Sequence, residues 1–267
     1  MKYGIIGTGN MGSLLTNAFI SSGAVQADQI TIYNRTTDKA LKLKEEFSDI
    51  TIAPSIKEIG EHNDIVFVCV KPHNYENVLG ELTLSPNQCL VSITSPVSVE
   101  DLENTVNSQV ARIVPSITNR AHGGVSLFTF SDKITSTFKN ELLSVFTHFS
   151  KPVEIEEEHI RAASDIVSCG PAFLGFLIEN MIESAHKIGG IPEDKATVLM
   201  EEMIIGLAGL LEKKIYSFPE LIKKVTVKGG VTGEGLVALE ENVDDLFVMM
   251  FQATHYKHYR DKLSIKL

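Results

Sequence analysis

Cysteine is scarce in this sequence, and the cysteines present form no recognisable framework. The 267 residues include three of them, Cys69, Cys89 and Cys169. Their number is odd and their spacing matches no metal-ligand pattern, which is unlike a disulfide-rich secreted domain or a zinc-binding module. The sequence therefore favours a reducing, cytoplasmic location.

Positive charge is also in short supply. Lysine and arginine together number 24 against 34 acidic residues, so the formal net charge is -10. A protein that holds nucleic acid through its phosphates relies on basic side chains. We therefore expect no nucleic-acid partner.

Long apolar runs and leader-like segments are missing as well. No uninterrupted apolar run approaches the roughly 20 residues of a membrane-spanning helix. The chain enters an apolar strand at once, without the features of a signal peptide. We therefore expect no membrane partner. Hydrophobic residues make up 43% of the sequence, which is ample for the core of one or two domains.

What the sequence does contain is a glycine-rich turn near its N-terminus. A short apolar segment precedes Gly7-Thr8-Gly9-Asn10-Met11-Gly12, and apolar residues recur at helical spacing after it. Strand, G-x-G-x-x-G turn and helix in this order are typical of a dinucleotide site. Gly7 permits the tight turn, Gly9 lets the backbone approach a pyrophosphate, and Gly12 lets the helix pack closely. The alternative is a glycine-rich turn that holds no ligand.

The end of the second predicted strand indicates which dinucleotide is bound. NAD sites commonly carry an acidic residue here for the ribose hydroxyls, but this chain has Asn34-Arg35-Thr36, with Lys39 nearby. Arginine can hold a phosphate in a forked geometry, and no carboxylate repels it. We therefore predict NADP(H) as the cofactor, the alternative being a polar turn with a solvated arginine.

A third candidate segment is Val70-Lys71-Pro72, which ends the clearest apolar strand in the chain. The carboxyl ends of parallel strands face the ligand crevice. This position predicts that Lys71 lies near the cofactor ribose or the substrate, unless it is simply a surface lysine at a strand end.

The order of the elements predicts an α/β fold with two domains. Eight apolar strands alternate with helices up to residue 155, as in a doubly wound Rossmann sheet. Beyond it we find only helices. We expect an NADP-binding domain at 1–155 and a helical dimerisation and substrate domain at 156–267. Several of these helices are apolar on more than one side, which predicts a homodimer.

Five blocks together resemble the pyrroline-5-carboxylate reductase family over the whole length of the chain. They are Gly7-x-Gly9-x-x-Gly12, Asn34-Arg35-Thr36, Val70-Lys71-Pro72, Ser168-Cys-Gly-Pro-Ala-Phe173 and Lys224-Val-Thr-x-x-Gly-Gly-x-Thr232. The resemblance implies NADPH-dependent reduction of a cyclic imine to proline. It also implies an active site between the two domains and an interlocked dimer.

The substrate side is built from two further segments. The turn Gly229-Gly230-Val231-Thr232 opens a helix whose free N–H groups suit a substrate carboxylate. Thr232 matches a substrate-binding threonine of the family, so Thr232 and Lys71 are our catalytic candidates. Ser116, in the loop after the sixth strand, is a further substrate-binding candidate.

Departures from the family pattern cluster on this substrate side. The family's Met-Pro-Asn-Thr-Pro loop reads Val114-Pro-Ser-Ile-Thr118, its Gln after Lys-Pro is His73, and its Ser-Pro before the paired glycines is Val227-Lys228. These changes indicate a divergent branch. Two functional classes follow: an active imine or carbonyl reductase, and a regulatory protein that keeps the fold and the cofactor site but has lost turnover.

Three other features have simpler interpretations. Cys169 is better explained as a small residue at a tight helix start than as a nucleophile, because no base is placed beside it. His255 and His258 have a spacing that metals use, but no third ligand accompanies them, so we predict no metal. The acidic run Glu156–Glu158 is typical of a solvated helix start.

Overall fold

The computed structural model of the protein describes residues 1–265, which form two compact units. The first unit comprises Met1–Pro171 together with the C-terminal residues from Thr254 onward, and the second comprises Ala172–Ala253. The sequence predicts a different boundary, between a cofactor-binding part that ends at residue 155 and a dimerisation part that begins at residue 156. That functional boundary stays a prediction.

The first unit contains one eight-stranded sheet in the order β3-β2-β1-β4-β5-β6-β7-β8. Neighbouring strands are parallel except β6 and β7, which are antiparallel. This confirms the predicted Rossmann architecture. The strands are β1 (Tyr3–Ile6), β2 (Ile30–Tyr33), β3 (Thr51–Ile52), β4 (Ile65–Val68), β5 (Cys89–Ser92), β6 (Gln109–Val114), β7 (Val125–Phe130) and β8 (Lys151–Glu154).

Helices cover both faces of this sheet, which explains why central strands such as β4 are buried at every position. One apolar cluster joins the sheet to the first, second and sixth helices, and a second cluster joins it to the third, fourth and fifth. These helices are α1 (Asn10–Ser21), α2 (Thr37–Glu46), α3 (Ile56–His62), α4 (Tyr75–Glu81), α5 (Val99–Thr105) and α6 (Ser136–Thr147).

The chain leaves the sheet through a continuous helical path. Helix α7 (Ile160–Ser164) passes through a π-helical segment, Asp165–Cys169, into α8 (Gly170–Gly189). The sequence predicts an interruption at Ser168-Cys-Gly-Pro171, and this is wrong. The wider π turn lets the helix continue past Pro171, which has no N–H to donate.

The second unit is helical and nearly without a core of its own. It is built from most of α8, from α9 (Glu193–Glu212) and α10 (Phe218–Val225), and from α11 (Val231–Ser264) up to Ala253. Among its described side chains, Ala196 is the one buried hydrophobic residue. Its exposed apolar side chains include Leu174, Phe176, Met181, Leu199, Met203 and Ile205. The surplus of apolar surface predicted from the sequence is therefore present.

Among residues 1–265, one helical stretch, Glu157–Gly189, is long and apolar enough to cross a membrane by length and composition alone, since an 18-residue segment of it has a mean hydropathy of 1.3. The absence of a long uninterrupted apolar run predicts no such stretch, but a few polar residues within this helix leave its average hydropathy high. A single helix of this kind is weak evidence for a membrane, since helices that pack against other protein surfaces have the same composition.

Candidate functional site

The glycine-rich turn lies between β1 and α1, and its three glycines have different surroundings. Gly7 has a φ of 96°, and a Cβ atom there would lie 2.7 Å from the carbonyl oxygen of Cys69. A Cβ at Gly12 would lie 1.9 Å from the carbonyl oxygen of Gly7. A Cβ at Gly9 would meet no heavy atom within 4 Å. Gly7 and Gly12 therefore shape the turn, whereas Gly9 leaves backbone open to a ligand.

The N-terminus of α1 offers donors to an anion. Its N-cap residue, Gly9, supplies no side chain to cap the first amides, so those of Asn10 and Met11 lack an intrahelical partner. The backbone N–H of Thr8 donates to Asn34 Oδ1 at 2.9 Å, while Thr8 Oγ1 is buried without a hydrogen-bond partner among residues 1–265. Free amides, an open glycine and an orphaned hydroxyl fit the phosphates of a dinucleotide.

The end of β2 presents an exposed arginine beside an ordered asparagine. Asn34 Nδ2 donates to the carbonyl oxygen of Thr36 at 2.7 Å, which, with the contact to Thr8, ties this loop to the glycine turn. Arg35 is exposed. A cleft of about 550 Å³ opens beside the turn. Its lining includes Thr8, Gly9, Asn10, Lys39, Lys42, Ile117 and Arg120. Glu46 also lines the cleft but is outnumbered by these basic side chains, so the local charge favours a phosphate group.

Strand register aligns the candidate segments along one edge of the sheet. Tyr33, Ile6, Val68, Ser92 and Arg112 are paired across β2, β1, β4, β5 and β6. Three residues beyond this row, the chain reaches Thr36, Gly9, Lys71, Ser95 and Pro115. Because the carboxyl ends of parallel strands meet at one edge, the loops that follow these strands share the ligand crevice.

Lys71 begins the turn that follows β4. Val70 is half-buried, Lys71 is exposed, and Pro72 opens a short 3-10 turn, Pro72–Asn74. Within residues 1–265 the Lys71 ammonium has no hydrogen-bond or ion-pair partner. It is thus free to contact a ligand, but the structure assigns it no role.

Ser116 takes part in a reciprocal pair of hydrogen bonds. Its hydroxyl donates to the carbonyl oxygen of Val167 at 2.6 Å, and the Ser168 hydroxyl donates to the carbonyl oxygen of Pro115 at 2.8 Å. In an α-helix Val167 would accept from residue 171, which here is Pro171 and has no N–H. We expect the Ser116 hydroxyl to face a substrate, but Ser116 is buried and its hydroxyl is occupied by the bond to Val167.

The turn at the start of α11 has the form expected of an anion site. Gly229 has a φ of 74°, and a Cβ at Gly230 would lie 2.7 Å from a Val227 side-chain carbon. Helix α11 begins at Val231, so the amides of Val231 and Thr232 lack intrahelical partners. All of these residues belong to the helical unit.

A cluster of charged side chains in the first unit was missed in the sequence analysis. Arg112 is 1% exposed and lies 2.8 Å from a carboxylate oxygen of Glu157. Arg161 Nη2 lies 2.6 Å from Asp165 Oδ1, and the Asp165 side chain is fully buried. Burial lowers the pKa of Arg112, although Glu157 opposes this. One signal was available, namely an arginine inside the otherwise apolar Val110–Val114 segment.

The histidines of the last helix contact this same cluster. His255 Nε2 lies 3.4 Å from Asp165 Oδ2, and His258 Nε2 donates to the carbonyl oxygen of Ser95 at 3.2 Å. Arg161 Nη2 also donates to Cys169 Sγ at 3.6 Å. Burial is the main cause of a raised pKa of the Cys169 thiol, which keeps it protonated and unlike a nucleophile.

Another group, Glu156, Glu158 and His159, brings three possible ligand atoms within 4.8 Å of one another on an exposed surface. Exposed acidic groups of this kind are common without an ion, and we assign the group no role.

Comparisons with known proteins agree with this architecture. Residues 157–260 match the family model "Pyrroline-5-carboxylate reductase dimerisation", and residues 2–96 match "NADP oxidoreductase coenzyme F420-dependent". The second match agrees with the NADP(H) prediction. The solved pyrroline carboxylate reductase of Plasmodium falciparum, with NADP bound, covers 100% of this chain and 98% of its own. Its TM-score is 0.83 at 23% identity, which confirms the fold.

Two relatives extend the comparison over the whole sequence. ComE operon protein 4 of Bacillus subtilis is 44% identical over 100% of this chain and 98% of its own length. The pyrroline-5-carboxylate reductase of Staphylococcus epidermidis is 27% identical over 90% of each. With the dimerisation match, these similarities show that the chain belongs to the pyrroline-5-carboxylate reductase family.

Proposed function

We propose that the protein is an NADP(H)-dependent reductase of a small cyclic imine. The reaction is that of the family, L-proline + NADP ⇌ 1-pyrroline-5-carboxylate + NADPH, or the same chemistry on a related imine. One observation carries the proposal: Thr36, Gly9, Lys71 and Ser95 follow neighbouring parallel strands at the same distance from one paired row. Such an edge holds the two halves of a dinucleotide on either side of its phosphates.

The cofactor would be held by residues of the first unit. The amides of Gly9, Asn10 and Met11 suit the pyrophosphate, and Arg35 suits the 2′-phosphate. Asn34 and Thr36 would order the loop around it, and Val70, Lys71 and Pro72 would lie on the nicotinamide side. NADPH, when bound there, supplies a hydride for the C=N carbon.

The protein's contribution to the chemistry is mainly positioning. A cyclic imine is readily protonated, so it needs no strong acid from the chain. Lys71 and Thr232 are the proposed catalytic contacts, and the amides of Gly230 to Thr232 would hold the carboxylate. Ser116 would act through its bond to Val167, which fixes the loop after β6.

A homodimer completes the proposal. The dimerisation match covers residues 157–260, and the described helices of the second unit bury almost none of their apolar side chains. A second copy of the chain is the partner that these observations support. We place this dimer in the cytoplasm, since three cysteines without a pairing pattern suit a reducing compartment.

A regulatory function is the second candidate. The 44% identity to ComE operon protein 4 exceeds the 27% identity to an enzyme of the family. The altered loop after β6 supports the same candidate. The Ser116 hydroxyl is hydrogen-bonded to the Val167 carbonyl, and Ile117 is half exposed beside the glycine turn. A protein of this kind would bind NADP(H) without efficient turnover.

The deciding experiment follows NADPH absorbance with pyrroline-5-carboxylate as substrate, alongside fluorescence titration of NADPH. We expect tight binding of NADPH and weak or no turnover of this substrate, with a bulkier carboxylate-bearing imine reduced faster. Replacing Ser116-Ile117-Thr118 by Asn-Thr-Pro should raise proline formation. Absence of NADPH binding would reject the proposed function. High activity in the unmodified protein would leave the function standing and reject our interpretation of the loop.

A further inference from the structure

Three basic side chains converge on one residue of the loop that follows β5. Arg112 Nη1 donates to the carbonyl oxygen of Ser95 at 3.0 Å and to that of Val97 at 3.1 Å. His258 Nε2 donates to the same Ser95 oxygen at 3.2 Å, and Arg161 Nη1 donates to Ser95 Oγ at 3.2 Å. The carbonyl oxygen and the hydroxyl of Ser95 are therefore held by donors from three separate elements, β6, α7 and α11.

The donors are themselves fixed. Arg112 is paired with Glu157, and Arg161 contacts the buried Asp165 through Nη2 and Nε. Thr254 Oγ1 donates to Asp165 Oδ2 at 2.8 Å, which brings the last helix into the same network. Burying a guanidinium costs free energy, and an apolar side chain would fill this space at a lower cost. Directional donors are what an apolar residue cannot supply.

The loop so fixed lies on one particular side of the predicted cofactor. Ser95 and Lys71 each stand three residues beyond a paired position, Ser92 with Val68. The 2′-phosphate side of a dinucleotide is at β2 and its phosphates are at the start of α1, so the opposite half extends over β4 and β5. The Ser95 loop therefore faces the nicotinamide half, whereas Arg35 faces the adenosine half.

We propose that Arg112, Arg161 and His258 are positioning residues that hold the Ser95 loop as one wall of the nicotinamide subsite. This inference rests on the proposed function and names the part of the cofactor that the cluster serves. The three side chains act through Ser95 and touch neither cofactor nor substrate themselves. A displacement of about 1 Å at such a wall costs on the order of a hundredfold in the rate of hydride transfer.

The test compares two ligands in the full-length protein. NADPH carries the nicotinamide ring, and 2′-phospho-ADP-ribose lacks that ring while keeping the second ribose and both phosphates. We expect His258→Ala and Arg161→Lys to weaken NADPH binding by about tenfold and to leave 2′-phospho-ADP-ribose within about twofold. His258→Gln keeps a side-chain donor and should recover most of the NADPH affinity. The matched controls are His148→Ala, on the exposed end of α6, and Arg260→Lys, on the exposed face of α11.

The possible outcomes separate this inference from the function it rests on. If the parent protein binds NADPH but both variants match it for both ligands, the positioning role is rejected and the function stands. If the variants bind both ligands more weakly by the same factor, the substitutions have damaged the fold in general, and the positioning role is rejected as well. If the parent binds neither ligand, both statements fail together. Should Arg161→Lys not fold, the His258→Ala and His258→Gln pair decides alone, because that side chain is only half-buried.

Discussion

At the scale of single residues, the three glycines of the turn look alike in the sequence but face different surroundings. A methyl group at position 12 would overlap the carbonyl oxygen of Gly7, whereas a methyl group at position 9 would meet open space. Gly9 also has a φ of -73°, which any residue adopts without strain. Folding and ligand access therefore depend on different glycines of one motif.

This difference predicts opposite phenotypes for two alanine variants. Gly12→Ala should lose stability by about 1–3 kcal/mol or more, because α1 must move away from β1. Gly9→Ala should have a free energy of unfolding within about 1 kcal/mol of the parent. It should nevertheless bind NADPH much more weakly, because its methyl group would occupy the proposed phosphate position. Thermal unfolding and NADPH titration measure both effects. Unchanged NADPH affinity in Gly9→Ala would exclude the turn as the phosphate site.

We propose that Arg35 carries the preference between the two cofactors. It is the exposed cation closest in sequence to the end of β2, and Asn34 beside it is ordered by bonds to Thr8 and Thr36. We expect the parent to favour NADPH over NADH, and Arg35→Ala to remove about tenfold to a hundredfold of that preference. Arg260→Ala, remote in sequence, controls for the loss of one charge. Equal affinities of the parent for both cofactors would contradict the assignment.

At the scale of elements, the π-helical segment ends two residues before Pro171, which lies in the first turn of α8. Pro171 cannot donate to the Val167 carbonyl, and the Ser116 hydroxyl does so instead. The loop after β6 and the start of α8 are thereby joined, and Ser168 adds the return bond to Pro115. Ser116, one of the positions at which this chain departs from the family pattern, thus has a structural partner in Val167.

A double-mutant cycle tests this pairing. Ser116→Ala should cost about 1–3 kcal/mol of stability, since the part-buried Val167 carbonyl loses its donor. In the Pro171→Ala background residue 171 regains an N–H, so the same serine substitution should cost clearly less. Denaturant unfolding of the four proteins gives the coupling free energy. Additive effects would mean that proline and serine are unrelated.

The sequence predicted the elements of the sheet better than the connections between helices. All eight strands were predicted, because β-branched apolar runs bounded by turn residues are a local signal. The antiparallel step between β6 and β7 and the path through Ser168–Pro171 depend on contacts distant in the sequence. The Arg112 cluster was missed for the same reason, since its members come from residues 95 to 258. The glycine turn was predictable because all the residues that form it lie within one six-residue segment, Gly7–Gly12.

At the scale of the whole molecule, the two units are stabilised in different ways. The first has two large apolar clusters, one on each face of its sheet, and a smaller third one at Val114, Leu127 and Ile160. In the second, the described helices bury Ala196 and leave side chains such as Leu199 and Met203 exposed. Helices of this kind need a partner surface to stay ordered, because apolar burial supplies most of the stability of packed helices.

This contrast leads to a prediction about assembly. We expect a stable dimer at micromolar concentration in analytical ultracentrifugation, and a larger assembly of dimers would also be consistent. Leu199→Asp and Met203→Asp on α9 should break the dimer and unfold the helical unit, because a charge would be buried in the interface. Leu41→Asp, at an exposed apolar position on α2, is the matched control. It should change neither the mass of the assembly in ultracentrifugation nor the stability of the protein. A monodisperse, fully folded monomer of the unmodified protein would show that the exposed apolar faces have another purpose. A dimer that survives both α9 substitutions would place the interface on a different helix.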